Sequence, residues 1–156
     1  MVARVDDIEG RLIGVHRTWL DREGAGQWRR RDRASLGPIG GGAVRLAEPD
    51  ETLFVGEGIE NCLVAMQACG LPAWSALSTS DIVALALPAI VRTVIILADH
   101  DANGAGERAA RAAAQRWLAE GRRVRIALPP ESDSDFNDVL LGCAQSRTAE
   151  AGDAAT

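Results

Sequence analysis

The 156-residue chain is 47% hydrophobic with a formal net charge of −5, which suits one ordinary core plus an appendage and excludes disorder throughout. No apolar stretch is long enough to span a bilayer, and the acidic N-terminus (Asp6, Asp7, Glu9) lacks a signal-peptide layout, so the expectation is a cytoplasmic protein without a membrane partner. Apart from the two histidines every basic side chain is arginine; without lysine there is no Walker-type phosphate loop and no Schiff-base or lysine-adenylate chemistry.

Met1 to Glu9 reads as a polar lead-in. Arg11 to Leu20 mixes β-branched and aromatic residues in rough alternation, which predicts a strand. Asp21 to Gly26 follows as a turn. Gln27 to Arg33 is then a return strand or an arginine-rich loop, and Leu36 to Gly42 a flexible segment where backbone can approach a ligand. Ala43 to Leu46 predicts a short strand, and Ala47 to Glu51 a linker. Residues 1–50 thus form a small β-rich N-terminal subdomain. Six arginines crowd the stretch from Arg17 to Arg33. Arg29, Arg30, Arg31 and Arg33, beside Trp28, make the best nucleic-acid surface: arginines neutralise phosphates, and Trp28 or Trp19 stacks on a base. A merely solvated charged face is the competing account.

From Thr52 the pattern becomes strand–helix alternation. Strands are expected at Thr52 to Val55, Ala73 to Leu77, Thr93 to Ala98 and Arg123 to Leu128. Between them lie a helix from Ile59 to Ala68 stopped by Gly70 and Pro72, and a short one capped at Ser78–Ser80 and ended by Pro88. A long helix from Ala105 to Glu120 is closed by Gly121. Its Arg108, Arg111 and Arg116 read as surface, partly paired with Glu107 and Glu120. Asp135 opens a last helical turn through Leu141, and residues 143–156 are a flexible tail. Such alternation means an α/β fold over residues 51–142, with a parallel four-stranded sheet flanked by helices. Trp74 and Trp117 are core anchors. The three cysteines have no Cys-x-x-Cys spacing, so a zinc ribbon is excluded and buried thiols are expected.

Two acidic clusters dominate this region, Gly56-Glu57-Gly58-Ile59-Glu60 and Asp99-His100-Asp101. Each follows an apolar strand and precedes a helix. In an open parallel sheet the functional crevice lies outside the carboxyl ends of the strands, so both belong on one rim. Carboxylates gathered there repel, and a divalent cation lets them stay ionised together. Oxygen-only ligands favour Mg²⁺ or Mn²⁺, with Glu57, Asp99 and Asp101 as the candidate set. The first cluster lacks the third glycine of a dinucleotide fingerprint. The second fails as an EF-hand, because Ala110 stands at the twelfth position and a strand precedes it.

Glu57 in a strand–Glu–Gly–helix turn, followed by Asp99-x-Asp101 after a later strand, resembles the Toprim domain of topoisomerases, bacterial-type primases and certain nucleases. The closer likeness is to the phage and mobile-element primase group, through Val55-Gly56-Glu57-Gly58-Ile59-Glu60, Leu97-Ala98-Asp99-His100-Asp101-Ala102-Asn103-Gly104 and Asp135-Phe136-Asn137-Asp138. The resemblance implies a Rossmann-like Toprim fold, with Glu57 as general acid/base or an additional metal ligand. It also implies that Asp99 and Asp101 hold Mg²⁺ (or Mn²⁺). Glu60 and Asp138 become outer carboxylates; Asp135 is an auxiliary acid or a helix cap. The implied activity is Mg²⁺-dependent nucleotidyl transfer, making RNA primers from NTPs on a single-stranded DNA template. A Toprim-type nuclease and a non-catalytic nucleic-acid-binding module are the rivals. The helicase and zinc-binding modules that accompany such primases would sit on another chain. Ser132-Asp133-Ser134 stands where these primases commonly carry a lysine.

Overall fold

The computed structural model describes residues 1–23, 27–99 and 104–129, and the side chains of these apart from residues 20–23 and 27–31. His100, Asp101, Asp135, Asp138 and the tail expected over residues 143–156 lie outside the described residues.

The chain opens with three antiparallel strands in the order β1-β2-β3: β1 Val2–Asp6, β2 Leu12–Glu23 and β3 Gln27–Leu36. The polar lead-in is therefore a strand. Its own propensity is weak, but β2 offers a ladder, and Val5 gains complete burial. The arginine-rich stretch is the return strand, with Thr18 opposite Arg33 and Trp19 opposite Asp32. Of the glycines at 37–42, Gly37 and Gly42 serve close packing within the chain: a Cβ on Gly42 would fall 2.6 Å from Ile13 Cδ1 and 2.9 Å from the Asp6 carbonyl.

The next strand, β4 Val44–Arg45, joins a second sheet as its antiparallel edge. That sheet contains β5 Thr52–Gly56, β6 Ala73–Ser75, β7 Thr93–Leu97 and β8 Arg123–Ala127, in the order β4-β6-β5-β7-β8 with the last four parallel. Its helices are α1 Ile59–Cys69, α2 Thr79–Ala84 and α3 Ala105–Ala119. The architecture is the expected α/β fold with an antiparallel N-terminal sheet.

A parallel sheet covered on both faces needs apolar residues at consecutive positions, and β5 supplies them. Leu53 and Val55 face a core with Trp74, Ile96 and Trp117, while Phe54 faces Cys62 and Ala65 of α1. Trp74 and Trp117 are the anchors the sequence suggested, 1% and 0% exposed. Cys62 is buried as expected, but Cys69, in the last turn of α1, is exposed. Arg116 is not a plain surface residue. It donates to the carbonyls of Ala84 and Leu85, and Trp117 Nε1 also reaches the Leu85 carbonyl. These donors satisfy the chain where α2 ends, well before Pro88, as the 2%-exposed Leu85 turns into the core.

A third apolar cluster ties the two sheets together. Val5 packs with Val44 and Ile59, and Ala3, Ile13, Ile39 and Leu77 close around them. Asp6 and Ala43 exchange both backbone hydrogen bonds, at 2.9 and 3.0 Å. Arg45 adds a polar tie by donating to the Asp7 carbonyl while its guanidinium stacks 4.2 Å over Trp74.

Candidate metal and nucleic-acid site

β5 and β7 are neighbours, and Gly56 is in register with Leu97. Glu57 and Asp99, the next and the second-next residues, therefore emerge on the same rim. Gly56 is needed for this packing: a Cβ there would lie 3.0 Å from Cys62 Sγ and 3.3 Å from Leu97 Cβ. The chain passes through Gly58, an extended N-cap without a side-chain bond to the helix, directly into α1. The first turn of α1 carries Glu60, exposed, and Asn61, only 6% exposed.

Asn61 joins the two clusters. Its Nδ2 donates to Asp99 Oδ1 at 3.0 Å. A carboxylate accepts and does not donate, so the amide orientation follows from chemistry. Asn61 Oδ1 is then buried with no partner among the described residues. A buried acceptor left unmade costs about 1–3 kcal/mol. The negative field here is also visible at Cys62, whose thiol is pushed up to about 12, by burial first and further by the Asp99 and Glu60 anions, against a backbone hydrogen bond at Gly56 that lowers it. Cys62 is thus a neutral, inert thiol that donates to the Trp74 carbonyl at 3.3 Å.

The Glu57 main chain is gripped from β6. Ser75 Oγ donates to the Glu57 carbonyl at 2.6 Å and Leu77 N–H donates to the same oxygen at 3.0 Å. Leu77 does so at φ +73°, the positive-φ non-glycine residue among the described residues. The left-handed region costs a residue with a Cβ roughly 1–2 kcal/mol.

The N-terminal sheet closes the site from the other side. His16, Thr18 and Arg33 line one cleft with Glu57, Gly58, Ile59, Glu60 and Leu77. His16 and Thr18 alternate along β2 and are 6% and 4% exposed; His16 Nδ1 stands 3.0 Å from Ser35 Oγ. Arg17 and Trp19 point to the opposite, solvent face, with Arg17 stacked 5.1 Å from the Trp19 ring. Of the expected nucleic-acid residues, Arg33 lines this cleft. Trp28, Arg29, Arg30 and Arg31 belong to β3 by their backbone, with side chains outside the described set.

The donors at the rim are carboxylate oxygens plus one amide oxygen in need of a donor, a set that fits a hydrated Mg²⁺ or Mn²⁺ and not a soft metal. Among the described residues no three candidate ligands stand close enough to hold an ion between them, and Asp101 is not one of those residues. Sequence reasoning missed Asn61, Ser75, Leu77, His16 and Thr18. For His16 and Thr18 the period-2 spacing was a signal of a shared face, but nothing local said which face meets Glu57.

Residues 52–146 match the family model described as Toprim domain, and residues 1–46 match a domain of unknown function, DUF7146. No curated protein matches. Among solved structures the chain is similar to a DNA primase domain from Pseudomonas aeruginosa, at 20% identity and TM-score 0.56, covering 89% of this chain and 46% of that one. It is similar to the DnaG primase catalytic domain bound to ssDNA at 19% identity and TM-score 0.55, with 96% and 52% covered. It is also similar to the Aquifex aeolicus primase (zinc binding and RNA polymerase domains), at 19% identity and TM-score 0.59, with 96% and 38% covered. The likeness is one of fold, and the chain spans about half or less of these relatives.

Proposed function

This chain belongs to the Toprim domain family, and from that membership we propose that it is the Toprim part of a DNA primase, performing Mg²⁺- or Mn²⁺-dependent nucleotidyl transfer that makes RNA primers on single-stranded DNA. The observation that carries this reading is the convergence of Glu57 and Asp99 on one rim, under a cleft whose other wall brings His16, Thr18 and Arg33 from the N-terminal sheet. A phosphate drawn to the mouth of that cleft meets Arg33 across from the acidic rim.

Glu57, Asp99 and Asp101 would hold the ion. A divalent ion there orients phosphate oxygens and neutralises their developing charge. The Glu57 carboxylate takes the proton of the attacking hydroxyl. Arg33 binds a phosphate of the incoming NTP or of the primer, and Thr18 and His16 exclude water from that wall. Glu60, Asp135 and Asp138 serve as auxiliary acids. Arg29, Arg30 and Arg31, with Trp28, track the template strand by phosphate neutralisation and stacking. A helicase or zinc-binding module on another chain supplies template delivery. The work on DNA is placed in the cytoplasm; among the described residues no helix is long and apolar enough to cross a membrane.

The test is one gel. End-labelled single-stranded DNA and labelled NTPs are incubated with the protein and Mg²⁺ or Mn²⁺, with Glu57→Ala alongside. Labelled oligoribonucleotides that vanish in the variant are expected. Shortened DNA instead would make the protein a nuclease. Salt-sensitive DNA binding that survives Glu57→Ala, without either product, would make it a binding module.

A further inference from the structure

Glu57 lies in no regular element, between Gly56 and Gly58. Glycine on both sides gives this turn little stiffness of its own. Something outside the turn has to hold it. The last residue of β6 and the two that follow it do so: Ala76 N–H donates to the Gly56 carbonyl at 2.8 Å, and Ser75 Oγ and Leu77 N–H converge on the Glu57 carbonyl. Ser75 is 0% exposed, so no solvent molecule can stand in for its hydroxyl.

Leu77 is the informative residue. At φ +73° a glycine would sit without strain. The leucine accepts that strain and gains two contacts. Its N–H turns to Glu57, and its side chain reaches the cluster of Val5, Val44 and Ile59 that joins the two sheets. Strain of this kind persists only where the surroundings over-determine it, and it collects at functional sites.

We infer that Ser75 and Leu77 are positioning residues: a two-donor clamp on the Glu57 main chain that sets where its carboxylate stands. The Leu77 side chain packs separately, against the cluster of Val5, Val44 and Ile59, and is no part of the clamp. This rests on the reading of Glu57 as part of the ion site. The clamp acts on the backbone, so removing a donor loosens the ion site before it loosens the fold.

The experiment is Mn²⁺ titration calorimetry on the full chain, well below the melting temperature, for the wild type, Ser75→Ala and Leu77→Gly. A merely structural role would lower the melting temperature and leave the affinity of the folded protein alone. Ser75→Ala is expected to weaken Mn²⁺ binding roughly tenfold, the scale of supporting hydrogen bonds around metal ligands. Leu77→Gly keeps the N–H and the backbone angle, so its affinity is expected within about twofold of wild type. Wild-type affinity in Ser75→Ala overturns the clamp, and so does a tenfold loss in Leu77→Gly. A wild type that binds no Mn²⁺ overturns the ion site and the clamp together. Mn²⁺ binding without primer synthesis sinks the primase reading, while a weakened Ser75→Ala still upholds the clamp.

Discussion

Asn61 and Asp99, 38 residues apart in sequence, are joined by a 3.0 Å hydrogen bond from Nδ2 to Oδ1 that ties the first turn of α1 to the end of β7. The bond gives Asp99 a fixed partner on the rim. It also leaves Asn61 Oδ1 as a buried acceptor facing no donor among the described residues.

Asn61→Asp replaces that amide by a second carboxylate at hydrogen-bond distance from Asp99. Two anions so placed cannot both ionise cheaply without a counter-charge. The variant is expected to lose about 1–3 kcal/mol of stability in EDTA and to regain most of it with Mn²⁺. Urea denaturation with and without the ion measures this. Equal stability in both conditions would mean that no cation reaches this pair.

Asp99→Asn separates charge from hydrogen bonding. The new amide still offers an oxygen to Asn61 Nδ2, so stability should stay within about 0.5 kcal/mol of wild type. Mn²⁺ affinity should fall at least tenfold, because a neutral amide is a poor substitute for a carboxylate ligand. Calorimetric titration decides it. An unchanged binding isotherm removes Asp99 from the ion site.

Arg33→Ala should weaken single-stranded DNA or NTP binding without disturbing the fold, since Arg33 is exposed and lines the Glu57 cleft. Losing one phosphate contact lowers the slope of log affinity against log salt by about 0.7 on a single strand. Fluorescence anisotropy at several salt concentrations reads the slope. The same slope in both proteins would place the phosphate elsewhere.

Cys62 and Cys69 should separate by reactivity. The thiolate is the nucleophile, and burial holds the Cys62 thiol protonated to about 12, against 9.0 as its ordinary value, whereas Cys69 is exposed. Alkylation at pH 8 followed by peptide mapping should mark Cys69 in the native protein and Cys62 only after unfolding. The same shift makes stability depend on pH. Between about 9 and about 12 the unfolded chain sheds the proton that the folded chain keeps, so the Cys62 contribution is intact below pH 9 and is lost as pH rises through that window. Native-state labelling of Cys62 at pH 8 would contradict the burial that drives this shift.

What the sequence by itself determined is what local pattern can carry. Four apolar strands alternating with helices, with Glu57 and Asp99 just beyond two strand ends, specify an α/β sheet and its rim, because strand polarity and period are properties of neighbours in the chain. The tryptophans of the core were legible for the same reason: a large apolar residue in a strand or on a helix face has few places to go. Only the tertiary structure decided which elements meet. Val2–Asp6 is a strand because β2 offers it a partner. Asn61 matters because α1 sets it against Asp99. Leu77 adopts a left-handed backbone because β6 must reach the Glu57 carbonyl while its side chain fills the seam between two sheets. His16 and Thr18 face Glu57 because the N-terminal sheet docks on that side. Each of these depends on contacts between residues distant in sequence, whose energy comes from packing and from hydrogen bonds closed across the fold, and no local pattern encodes them.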